Sequence, residues 1–109
     1  MLSQLPVDFS KVSKANLNKE ILRAAIIAEL DAINLYEQMA ALTDDKDIQA
    51  VLLDIAREEK THVGEFETML LRMDAEQVKE IQHGQKEIAE LTGKTDEFSV
   101  FKPGMVIEE

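Results

Sequence analysis

The sequence predicts an all-α fold: an antiparallel two-helix hairpin plus a short third helix, with a second copy needed to complete a four-helix bundle. Three observations carry this reading. Ile48, Leu52, Ile55, Glu59, His62, Phe66, Met69 and Met73 recur at spacings of 4,3,4,3,4,3,4, an unbroken heptad seam. Leu22, Ile26, Glu29, Ile33, Tyr36 and Ala40 keep the same rhythm upstream. A hairpin of two helices cannot cover its own apolar stripe, and 109 residues suffice for one small domain.

Residues 1–15 (MLSQLPVDFSKVSKA) have no helical period and read as an N-terminal arm. Asn16 or Asn18 is expected to cap a helix running to about Leu42. Thr43-Asp44-Asp45 forms the break, an aspartate there caps the second helix, and Asp47 stands near its positive end. That helix runs to about Met73. Asp74 with Gln77 three residues on is a capping-box variant opening a third helix. Its apolar positions are Val78, Ile81, Ile88 and Leu91, interrupted by Gly84, and Gly93 ends it. The domain is therefore expected over 16–93, followed by a tail over 94–109 that is aperiodic yet apolar through Phe98, Val100, Phe101, Met105, Val106 and Ile107.

The net charge of −10 disfavours nucleic acid and anionic membranes and favours cations as partners. Cysteine is absent, which excludes disulfides, thiolate nucleophiles and iron–sulfur clusters, so any metal is held by oxygen and imidazole. The longest apolar run, Ala24 to Ala28, is far too short for a bilayer, and no signal-peptide core is present. A cytoplasmic protein with no membrane contact is the expectation.

Glu29, Glu59 and His62 occupy seam positions where leucines are expected. Burying an ionised carboxylate costs several kcal/mol even after relaxation. Glu29 lies fifteen residues before the turn at residue 44 and Glu59 fifteen after it. At ~1.5 Å per residue both sit roughly 22 Å from the turn, level across the hairpin. His62, three residues after Glu59, shares its face. A cation offsets the buried charge. Di-iron bundles of the ferritin type use one Glu from each of two helices and a Glu-x-x-His from each of the other two. This chain supplies one lone Glu and one Glu59-Lys60-Thr61-His62, half a site. Two copies supply four carboxylates and two imidazoles, and the four negative charges match two Fe(II) ions. Tyr36, one heptad beyond Glu29, either packs or hydrogen-bonds a ligand carboxylate. Glu58, Glu65 and Asp31 flank the seam and read as solvated, His83 as exposed, and Met39, Met69 and Met73 as core filler. Ile27, Leu30 and Leu35 lie off the first seam and point to an oligomer larger than a dimer.

The segments IIAELDAINLYEQ and DIAREEKTHVGEFE resemble the encapsulated ferritin family, the short ferritin-like proteins housed in encapsulin nanocompartments; the likeness spans roughly residues 18–92. The resemblance implies a ferritin-like bundle with a ferroxidase centre across a dimer interface and a decameric ring of dimers. The iron ligands would be Glu29, Glu59 and His62, with Tyr36 beside them. It implies iron and O2 as reactants, the encapsulin shell protein as partner, and the compartment lumen as location. The family often has acidic residues one before and two after the first Glu and a Trp before the Tyr; here these are Ala28, Asp31 and Leu35. The tail is then a targeting peptide or a linker to a fused shell domain. Two rival functions use the same residues differently: a di-metal peroxidase, and a metal-free helical oligomerisation module.

Overall fold

Aspartate side chains cap α-helices two and three in the computed structural model, which describes residue 4 and residues 7–98. A 3-10 turn at Phe9–Lys11 precedes α1 (Lys14–Leu42), α2 (Lys46–Met73) and α3 (Ala75–Thr92). No strand occurs among the described residues. The start of α1 corrects the sequence reading: Ser13, in extended backbone, is the N-cap, and Asn16 and Asn18 lie inside the helix. Ser13 makes no side-chain capping bond, so the first turn is held by backbone geometry, with Asn16 N–H donating to the Ser13 carbonyl at 3.1 Å. The cap therefore lies three residues before Asn16 and five before Asn18.

At the hairpin turn, Asp45 Oδ1 accepts from the Asp47 and Ile48 N–H groups at 2.9 and 3.0 Å, satisfying two orphan donors of α2. Gln49 Nε2 donates to the Thr43 carbonyl at 2.7 Å and ties the turn to the new helix. α1 then packs along α2. The buried residues of the two helices are Ile33, Ala40, Ala56, Leu70 and Leu71. Ala56 and Leu70 stand one step round α2 from the heptad seam, because a hairpin contact covers a stripe wider than an a/d line. The seam itself is only partly covered: Ile48, Met69 and Met73 are exposed. An ion pair from Lys60 Nζ to Glu37 Oε2, 3.3 Å, crosses the hairpin at its surface.

The chain divides into two compact units, Met1–Met73 and Asp74–Glu109. In the second, Asp74 Oδ1 accepts from Gln77 N–H at 3.0 Å and caps α3, as expected. α3 continues through Gly84 without a break. Gly93 ends it at φ 70, a left-handed conformation that glycine adopts without a Cβ clash, with its N–H on the Ala89 carbonyl at 2.9 Å. Val78 and Ile81 are half-buried, Ile88 and Leu91 exposed. The tail residues 99–109, including Val100, Phe101, Met105, Val106 and Ile107, lie outside the described residues. No helix among the described residues is long and apolar enough to cross a membrane.

Candidate metal centre

Glu29 stands one residue past the middle of Lys14–Leu42, and Glu59 stands at the middle of Lys46–Met73. The turn length makes these midpoints level, and the hairpin brings Glu29, Glu59 and His62 together. One ligand atom from each lies within 4.8 Å of the other two. Cation–ligand bonds near 2.1 Å hold donors up to about 4.2 Å apart, and His62 Nδ1 stands 3.4 Å from an oxygen of each glutamate, inside that span.

The electrostatics are unbalanced without such an ion. His62 Nδ1 faces both acids, 3.4 Å from Glu59 Oε2 and 3.4 Å from Glu29 Oε2. One ring N–H serves one acceptor. The contact to Glu59 meets hydrogen-bond geometry, and Glu29 Oε2 is left buried with no hydrogen-bond partner. An orphaned carboxylate oxygen is costly in a low-dielectric site. The donor set, two carboxylates and an imidazole with no sulfur, suits a divalent ion of the iron or zinc type. Fit is thus shown by the orphaned atom and by the chemistry of the donors.

Exposure differs across the three. The Glu29 and Glu59 side chains are 19 and 18 % exposed, His62 44 %. The centre is shielded on the hairpin side and open past the imidazole. Tyr36 is half-buried one heptad along α1, and among the described residues no hydrogen bond joins it to the three candidate ligands. Glu58 and Glu65 are exposed beside the seam, Ala28, Asp31 and Leu35 half-buried on α1. His83 is exposed between Glu80 and Glu87, at 3.4 and 3.5 Å. The Lys60–Glu37 tie had no signal in the sequence, since only the tertiary pairing brings residues 23 apart together.

Comparison with known protein families matches residues 20–101 to rubrerythrin. The chain belongs to the rubrerythrin family. Within that family it is similar to a ferritin-like–encapsulin shell fusion protein of Pyrococcus furiosus, 64 % identical over 74 residues, 68 % of this chain and 21 % of that protein. It is also similar to the encapsulin nanocompartment cargo protein EncC of Myxococcus xanthus, 40 % identical over 67 residues, 62 % of this chain and 51 % of that protein. The chain thus spans from a fifth to half the length of these relatives. A crystal structure of the encapsulated ferritin domain from Pyrococcus furiosus superposes with a TM-score of 0.75 at 52 % identity, covering 88 % of this chain and all of that one. The all-helical, ferritin-like reading of this rubrerythrin-family chain and its resemblance to encapsulated ferritins therefore hold.

Proposed function

We propose that the chain is a ferroxidase that oxidises Fe(II) to Fe(III) at a di-iron site shared between two copies, supplying iron storage inside an encapsulin nanocompartment. The buried, unpartnered Glu29 Oε2 within 3.4 Å of the His62 ring nitrogen carries the reading. Iron here is the substrate. Glu29 and Glu59 offer hard oxygen ligands, and His62 offers Nδ1, the ring atom already turned toward them. Two copies bring four carboxylates, whose charge matches two Fe(II). Each ion gives up one electron, and O2 accepts the electrons with protons from solvent. The chain contributes geometry and charge, and Tyr36, one heptad along α1 and the sequence's single tyrosine, is the phenol we assign to the centre.

The half-site lies at mid-length of both helices. A two-fold axis through it overlaps the two hairpins along their whole length, which supports pairing, and a ring of five such pairs is the assembly we assign. The similarity to encapsulin cargo and shell-fusion proteins supports the nanocompartment lumen as location, with residues 94–109 as targeting peptide or fusion linker. A metal-free module leaves the Glu29 orphan unexplained. Peroxide reduction on the same ligands is separated from O2 reduction by comparing turnover of the two oxidants.

The test is anaerobic Fe(II) titration of the purified chain, reading iron per chain and native mass together. Saturation near one iron per chain with a rise in mass, then an absorbance increase on aeration, is expected. Glu29→Ala and Glu59→Ala chains that oxidise iron like wild type overturn the proposal.

A further inference from the structure

α3 carries a second Glu-x-x-His, at Glu80 and His83, with a further glutamate, Glu87, four residues on. It belongs to the unit Asp74–Glu109 and shares no residue with the hairpin centre. Glu76, Glu80, His83, Glu87 and Glu90 follow one another at spacings of 4,3,4,3, one line along the helix. All five are exposed, whereas Val78, Ile81, Gln85 and Ala89 on the other side are half-buried. The line faces solvent, so its side chains are free to bind from water.

The two ring nitrogens of His83 have different surroundings. Glu80 Oε2 accepts a hydrogen bond from Nδ1 at 3.4 Å. That bond places the ring proton on Nδ1 and leaves the lone pair on Nε2. Glu87 Oε1 stands 3.5 Å from Nε2 with no hydrogen bond between them. A nitrogen lone pair thus faces a carboxylate oxygen, two electron-pair donors with nothing positive between them. Ion–ligand bonds near 2.1 Å hold donors up to about 4.2 Å apart, and the 3.5 Å separation is inside that span. A histidine that ligates through one nitrogen commonly donates its other N–H to a carboxylate, which fixes the ring and raises its basicity. Glu80, His83 and Glu87 have that layout along a single helix.

We propose that His83 Nε2 and Glu87 Oε1 form a second, solvent-facing site for a first-row divalent cation, with Glu80 orienting the imidazole from Nδ1. An imidazole with a carboxylate suits an ion of the zinc or iron type rather than calcium. Two protein ligands leave the remaining positions to water, so the site captures and releases its ion rather than storing it. Glu76 and Glu90 extend the negative line to either side and raise the local cation concentration. Lys79 and Lys86, four before and three after His83, stand on its other flank, which confines the ion to the side of Glu80 and Glu87.

Zinc(II) tests this without redox chemistry. The sequence has two histidines, so a full-length chain isotope-labelled at its imidazoles gives two NMR signals, assigned with His62→Ala and His83→Ala. The His83 signal is expected to shift on zinc addition with a midpoint at least about tenfold below that of free imidazole in the same sample, because a second ligand is linked to the first. The same shift is expected in the His62→Ala chain. Glu87→Gln and Glu80→Gln are each expected to raise the midpoint about tenfold or more. Glu76→Gln removes the same charge about 10 Å along the helix and is expected to leave the midpoint within about twofold. All these α3 positions are exposed, so the substitutions leave the fold intact. A His83 signal that stays still makes the ring an ion-pair partner of two glutamates only and overturns the proposal. So does a midpoint unmoved by Glu87→Gln, or one that Glu76→Gln shifts equally. A shift lost with His62→Ala overturns the separate site, and a midpoint unmoved by Glu80→Gln overturns its orienting role.

Discussion

Glu29 has a carboxylate oxygen out of water, 3.4 Å from a ring nitrogen already hydrogen-bonded elsewhere. Substituting Glu29→Gln removes that charge and gives the position its own donors. Without metal the variant is expected to gain about 1–3 kcal/mol, the cost of an unsatisfied buried group, read as a rise in melting temperature in chelator. Iron oxidation is expected to fall by more than about tenfold, since loss even of a group supporting a ligand costs that much. A variant that melts lower than wild type in chelator would show that Glu29 already has a partner. Glu29, Glu59 and His62 were all legible as candidates, because polar residues on an otherwise apolar seam are a strong local signal. Tyr36 was legible only as a neighbour: its hydroxyl has no hydrogen bond to the candidate ligands of its own chain.

At the scale of elements, caps and glycines set what each helix contributes. Asp45 accepts from two N–H groups, so Asp45→Ala is expected to cost about 1 kcal/mol by chemical denaturation. Gly64, in the middle of α2, has nothing within 4 Å of an added Cβ. Gly64→Ala is expected to stabilise the chain by about 1 kcal/mol, whereas Gly93→Ala, at φ 70, destabilises it. Melting curves of the two variants should move in opposite directions. Helix extents were legible to within two residues because break and cap residues stand together at Thr43–Asp45, Asp74 and Gly93. The start of α1 was not. Ser13, Asn16 and Asn18 all have the chemistry of caps, and Ser13 takes the position with no side-chain bond, so residue type alone did not single it out.

For the whole molecule the deciding fact is how little one copy buries. Among the described residues five apolar ones are buried, none of them completely, while Ile21, Ile27, Leu30, Ile48, Val51, Leu53, Met69 and Met73 are exposed on the hairpin. Apolar surface on this scale is stable when covered. Stability is therefore expected to depend on concentration: a tenfold rise in protein should raise the melting temperature of the assembled, iron-loaded chain by about 3–6 °C. A melting temperature independent of concentration and of Fe(II) would place the stability in the single copy.

The heptad rhythm, the lone Glu, the Glu-x-x-His and the thirty residues between the two glutamates are properties of the chain read along its length, and they determined helix content, hairpin pairing and the candidate ligands. Which side of each seam is covered, which oxygen is orphaned and which nitrogen faces it were decided only by the tertiary structure. Periodicity assigns a residue to a face, whereas the rotation of that face and the direction of its polar atoms follow from packing against the neighbouring helix.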